Sequence, residues 1–330
     1  MKALLILTAL VLTVTGGYAL ALVKGAFDLS VASLEEKYRT PDSKFMDIDG
    51  VRVHYMDQGQ GPVLVLLHAS FMNLRSWDQL AADLSSEFRV VRLDLLNAGL
   101  TGPDPTGNYS MERNAQLLTG LLAALKIDQF ALLATSSGGT VGFRYAAANP
   151  DRVTRLILVN SAGMPRTAAT DPNRPRGTAL NRWIQRYHKS RAWWQDTLEK
   201  QFASGKLPPP ELVDMVYDMN RRENLATTGQ IFMRNYRTGD PETTLGTIRA
   251  PTMILWGIGN LTVAHLEADV FEHWLTAAPT VKKKYPDVGH YFYLEIPEQF
   301  SADVKAFLSG GLDASLRRRE VVSGLPQSGT

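Results

Sequence analysis

The chain has 330 residues, 45% hydrophobic and 21% charged, with a formal net charge of +2. That is the composition of one globular domain with room for an insertion, and it excludes a disordered or fibrous chain. The small positive excess selects no nucleic-acid partner and can come from Arg317, Arg318 and Arg319 alone, while the absence of cysteine excludes disulfides, thiolate metal sites and a cysteine nucleophile.

Lys2 supplies a short positive start, and residues 3–23 carry no charge, a length that can span a bilayer. Ala19-Leu20-Ala21 also fits the small-x-small pattern of a signal-peptidase site. Residues 1–23 are therefore expected to be a signal peptide or membrane anchor, making the protein exported (periplasmic or extracellular) or membrane-attached through residues 3–23. Residues 24–44 read as a linker with one short amphipathic helix near 34–38. Residues 45–48 and 51–56 flank Asp49-Gly50, a strong hairpin signal. Residues 63–67 form a fully apolar strand ending in His68. A helix at about 76–85 and a strand over 88–94 follow, and Ser110 opens a helix whose Leu117, Leu118, Leu121 and Leu122 share one face.

At residues 130–134 five apolar residues, too few for a helix, read as a buried strand of a parallel sheet. Thr135-Ser136-Ser137-Gly138-Gly139 follow, all small, and then a helix that stops at Asn149-Pro150. A buried strand thus turns abruptly into a helix with Ser136 at the turn, the pattern of a nucleophile elbow. Ala134-Thr135-Ser136-Ser137-Gly138 stands where that elbow reads G-x-S-x-G, with a second small residue in place of the first glycine. Here the chain resembles the α/β-hydrolase superfamily, especially its small, capped serine esterase-like members. The resemblance implies an α/β fold: a mostly parallel eight-stranded sheet flanked by helices, with an inserted helical cap.

The resemblance also orders the other site residues. In the family the strand ending at His68 leads to an H-G-x loop that gives the second oxyanion donor. Here the loop is His68-Ala69-Ser70-Phe71-Met72, so the donors fall on the backbone N–H groups of Ser70 and Ser137, and His68 orients the loop. Asp94, Gly99 and Thr101 fit the family's D-x-P-G-x-G-x-S/T, whereas Leu96 and Asn97 depart from it; Asp94 is expected to be structural. After a strand over 156–159, prolines at 165, 172 and 175 interrupt the pattern. Amphipathic helices, including ones at 180–202 and 210–222, are the expected cap within residues 164–247. The core therefore divides into residues 45–163 and 248–312, with a basic, disordered tail at 313–330.

Strands at 251–256 and 282–285 precede Asp287-Val288-Gly289-His290 and a closing helix at 297–308. His290 is the general base among six histidines. The two usual seats for the acid hold Asn260 and Asn160, both uncharged amides. An asparagine carbonyl can orient an imidazole but cannot stabilise the imidazolium; in serine proteases that exchange lowers kcat about 10⁴-fold. Asp287, Glu267 and Asp269 are further carboxylates near the site in sequence, the last two expected at a helix start.

The expected chemistry is serine-dependent hydrolysis of an ester or related acyl substrate, weakened or repurposed. Ser136 is the nucleophile, His290 the base and Asn260 its weak orienter. No metal or organic cofactor is implied. Phe71, Met72, Asn97, Asn160, Tyr291 and Phe292, with Tyr293 beside them, are expected to line a pocket for a small apolar substrate. Lyase-type proton transfer and a catalytically silent binding protein are the alternatives.

Overall fold

The computed structural model describes residues 1–165 and 178–310, apart from the side chains at 3–7, 9, 11 and 12. The expected tail and the prolines at 172 and 175 lie outside the described residues. In chain order come α1 (Lys2–Val23), α2 (Val31–Tyr38), β1 (Lys44–Ile48), β2 (Val51–Gln58) and β3 (Val63–Leu67). A 3-10 turn (Leu74–Trp77) runs into α3 (Asp78–Leu84), followed by β4 (Arg89–Leu93), α4 (Met111–Ala124), β5 (Phe130–Thr135), α5 (Ser136–Ala148) and β6 (Val153–Val159). Five helices are inserted next: α6 (Ala179–Tyr187), α7 (Arg191–Glu199), α8 (Pro210–Met219), α9 (Leu225–Asn235) and α10 (Pro241–Gly246). The chain then completes its core with β7 (Thr252–Gly257), α11 (Glu267–Trp274), β8 (Thr280–Tyr285), α12 (Phe292–Glu295) and α13 (Pro297–Leu308).

The eight strands lie in the order β1-β2-β4-β3-β5-β6-β7-β8. β1 and β2 pair antiparallel with Ile48 opposite Val51, joined by Asp49 (φ 49°) and Gly50 (φ 79°), the double positive φ that a two-residue hairpin needs. β2 meets β4 antiparallel, and every later pairing is parallel. The apolar runs follow from burial on both faces. Val65, Leu67, Leu132 and Ala134 pack with α4, α5 and α11 on one side. Leu64, Leu66, Ala131 and Leu133 pack with α3 and α13 on the other.

Ahead of the sheet, residues 24–44 are not a linker. Leu34 is 1% exposed and packs with Leu100, Met215 and Met219, and Leu29 exchanges backbone bonds with Arg221 and Glu223. α2 is thereby fastened to the insertion, because its one apolar stripe needs a partner. α1 touches α6 and leaves Leu10, Val14 and Leu20 exposed. Among the described residues no helix is long and apolar enough to cross a membrane.

The helix expected over 180–202 is two helices. His188 is extended (φ −147°), and the Ser190 hydroxyl accepts the Trp193 N–H to start α7. Serine at a helix start satisfies a free N–H, which it does not do mid-helix.

On the sheet's antiparallel side, His54 Nδ1 lies 2.6 Å from Asp94 Oδ2 and His54 Nε2 lies 2.9 Å from Ser43 Oγ. The Asp94 carboxylate also accepts the Leu74 and Leu100 N–H groups, the structural role expected for it. Burial opposes its ionisation, but the charge and hydrogen bond of His54, then His68 and Leu74, hold its pKa below the usual range.

Candidate active site

Ser136 joins β5 to α5 with φ +51°, a left-handed conformation rare for a side-chain-bearing residue. Close packing enforces it. A Cβ on Gly138 would stand 2.4 Å from the His68 carbonyl oxygen, so α5 begins hard against the end of β3. A Cβ on Gly142 would stand 2.6 Å from the Ala134 Cβ. Glycine on the helix therefore makes room for the methyl that replaces the elbow's usual first glycine.

Ser136 Oγ is 3.0 Å from His290 Nε2, and His290 Nδ1 is 3.1 Å from Asn260 Oδ1. Asn260 Oδ1 also accepts the N–H groups of Thr262 and Val263 at 2.9 and 3.1 Å. These two backbone donors fix which end of the amide faces His290. Nδ1 must then carry the proton, leaving the Nε2 lone pair for the serine hydroxyl. Asn260 Nδ2 is buried with no partner. The seat thus offers three donors to one oxygen and no acceptor to the amide nitrogen, a set that suits a carboxylate. His290 is 2% exposed, and burial, with no carboxylate to oppose it, lowers its pKa to about 3.

The histidine loop is tied to the insertion. His290 N–H donates to the Gln201 carbonyl at 2.7 Å. The Glu295 carboxylate, 0% exposed, accepts N–H groups from Gly289, Ala203 and Ser204. Neither Gln201 nor Glu295 stands out in sequence, because each works on backbone atoms distant along the chain. Asn160 belongs to the same scaffold and not to the pocket: its amide accepts the Gly257 N–H and donates to the Gly289 and His290 carbonyls. All three of these bonds hold the His290 loop.

Beside Ser136, Ser137 sits in the first turn of α5, where amides have no intrahelical acceptor. Ser70 Oγ donates to Ser137 Oγ at 2.7 Å, which brings the two expected oxyanion residues together. His68 holds this loop as expected, with Nδ1 donating to the Ala69 carbonyl and Nε2 accepting the Leu95 N–H. Burial keeps its pKa low.

A cavity of about 600 Å³ opens against Ser70 and Ser137, between the core and the insertion. Phe71, 49% exposed, lines it, as does Asn97, whose amide donates to the Thr228 carbonyl. Five expected pocket residues do not line it. Met72 and Phe292 are packed in the core beneath the sheet. Tyr291 packs edge-on against His290 at 4.9 Å, with its hydroxyl toward the Ser70 carbonyl; Asn160 is the scaffold residue above. Tyr293 stacks on Trp77 at 4.4 Å. The apolar lining comes instead from Leu95, Met111, Val141, Trp194, Phe232 and Met233.

Asp287, Asp269 and Glu267 make no hydrogen bond or ion pair with His290. Asp287 is exposed at φ 55°, Asp269 pairs with Lys282 and Lys284, and Glu267, in the first turn of α11, is raised by burial to about 6. Among the described residues no group of three or more His, Cys, Asp or Glu is placed to hold a metal ion.

Residues 62–297 match the family model of the α/β hydrolase fold. The chain belongs to this family. Among curated relatives, this α/β hydrolase is 29% identical to a 2-hydroxy-6-oxononadienedioate/2-hydroxy-6-oxononatrienedioate hydrolase of Paraburkholderia xenovorans, over 65% of this chain and 78% of that protein. It is 23% identical to a cis-3-alkyl-4-alkyloxetan-2-one decarboxylase of Shewanella oneidensis, over 80% and 87% of the respective chains. A solved membrane phospholipase A superposes with a TM-score of 0.68 at 24% identity, over 94% of this chain and 99% of its own, a likeness of fold. The relatives are thus enzymes of hydrolase and lyase type.

Proposed function

We propose that this α/β hydrolase cleaves an ester or related acyl substrate through an acyl-enzyme on Ser136. The observation that carries the reading is the 3.0 Å contact of Ser136 Oγ with His290 Nε2 at a strained elbow. His290 Nε2 takes the serine proton as Oγ attacks the carbonyl, and the Ser70 and Ser137 N–H groups hold the developing oxyanion. The proton then passes from Nε2 to the leaving oxygen. Water, deprotonated by the same nitrogen, releases the acid. The helical insertion acts as a cap that closes the cavity over this centre. Asn260 orients His290 without charge stabilisation, so turnover is slow.

The test is kcat/KM on a para-nitrophenyl ester for the parent and Ser136→Ala, with mass spectrometry of the parent after a rapid quench. An acyl adduct on Ser136 and loss of turnover in Ser136→Ala are expected. Equal rates without an adduct would refute the reading. One observation favours a second reading, ligand binding without turnover: the amide in the acid seat. It predicts saturable binding and no adduct in the same experiment.

A further inference from the structure

Arg92 and Arg113 are 3% and 6% exposed, and each meets a carboxylate at 2.6 Å. Arg222 is 5% exposed and meets none among the described residues. Its Nη1 makes only long contacts, 3.4 and 3.3 Å, to the Ala98 and Gly99 carbonyls, although a guanidinium has five N–H donors. An unpaired buried cation is costly unless another group supplies its charge. Arg222 lines the cavity.

Lys189 lines it too, at the break between α6 and α7. Its ammonium lies 5.5 and 5.8 Å from the Trp193 and Trp194 ring centroids and has no carboxylate partner among the described residues. Burial lowers the pKa of both groups, unopposed at Lys189 and only partly offset at Arg222 by the charges of Asp94 and Glu223, neither of which bonds to it. Arg186 and Arg234 add two more cations to the lining, against Asp28 as its one carboxylate. The rest of the wall is largely apolar.

We propose that this cavity takes an acyl substrate with a second, anionic end, a carboxylate held by Arg222 and Lys189, while the scissile carbonyl faces Ser70 and Ser137. The position of the carbonyl rests on the serine chemistry proposed above; the anion site does not. It replaces the wholly apolar substrate expected from the sequence. Arg222 is well placed to be rigid, because Leu29 donates its N–H to the Arg221 carbonyl and accepts the Glu223 N–H on either side of it, and a rigid fork is the better carboxylate receptor.

Two measurements keep these ideas separate. Calorimetric binding of octanoate and octanamide to Ser136→Ala removes turnover. Octanoate should bind about tenfold tighter, and Arg222→Gln or Lys189→Gln added to that protein should each erase most of the preference. Equal binding of acid and amide, or a preference that survives both folded variants, overturns the anion site; should Arg222→Gln fail to fold, Lys189→Gln decides. Hydrolysis by the parent is then compared on the para-nitrophenyl half-ester of adipate and on para-nitrophenyl hexanoate, chains of equal length. Octanoate preference with no hydrolysis of either sinks the serine chemistry and supports the anion site. Hydrolysis at equal kcat/KM for the two esters supports the serine chemistry and sinks the anion site.

Discussion

Ser43, His54 and Asp94 form a hydrogen-bonded chain of 2.9 and 2.6 Å, and Ser136, His290 and Asn260 form one of 3.0 and 3.1 Å. By distance alone the first is the better triad, and it has the carboxylate that the second lacks. What it lacks is everything else. Ser43 does not sit at a strand-to-helix elbow, and no helix start stands beside its hydroxyl. Ser136 has the positive φ, the first turn of α5 and the Ser70 loop across from it. A serine–histidine–acid chain is a way to satisfy buried polar groups; catalysis also needs somewhere for charge to develop.

The largest expected effect comes from making the two chains alike. Asn260→Asp should raise kcat/KM about 10²–10⁴-fold on an activated ester, short of a full triad if the second carboxylate oxygen takes the place of the unpartnered Nδ2. It should also move the acid limb of the pH–rate profile. With the His290 pKa at about 3, the parent base stays neutral and its rate is flat over about pH 5–8. A carboxylate beside Nδ1 favours the imidazolium and raises that pKa, so the variant should lose activity as pH falls within this range. A flat profile with no gain would show that the amide is not what limits the site.

Next is Asp94→Asn, which weakens the first chain. It should cost about 3–5 kcal/mol in urea denaturation by removing a buried charge from His54 and two N–H donors. The rate per folded molecule should hold. Because the folded pKa of Asp94 is depressed, its contribution to stability is present above about pH 4 and is lost as pH falls through the folded value. The variant's stability should accordingly depend less on acid than the parent's. The smallest effect is that of Ser43→Ala, about 1–2 kcal/mol of stability for the bonds of its hydroxyl to His54 and to the Thr40 N–H. A loss of turnover in folded Ser43→Ala would break the distinction between the two chains.

The two chains also differ in how far the sequence reveals them. Ser136 and His290 are legible because each sits in a local pattern: an apolar run broken by small residues, and a G-H step after the last strand. Asn260 follows from its strand end in the same way. Strand positions are legible for a related reason, since burial on both faces leaves continuous apolar runs. Ser43, His54 and Asp94 come from three separate segments, so no spacing announces them. The pocket is hidden in the sequence on the same ground. Residues beside His290 in sequence, Tyr291 and Phe292, turn inward, while Arg222 and Lys189 reach the cavity from an insertion whose helices pack by tertiary fit. Residues 24–44 read as a linker in the sequence because the partners of Leu34 include Met215 and Met219 on α8, far along the chain.

The fastening of His290 to the insertion has a mechanical consequence. Its N–H rests on Gln201, and Glu295 ties Gly289 to Ala203 and Ser204. A Cβ on Gly289 would stand 2.1 Å from the Gln201 carbonyl oxygen, so the two backbones have no slack between them. The insertion cannot pivot at this corner without dragging His290 away from Ser136. Slow exchange of the His290 amide hydrogen would time the event in which this whole corner lets go.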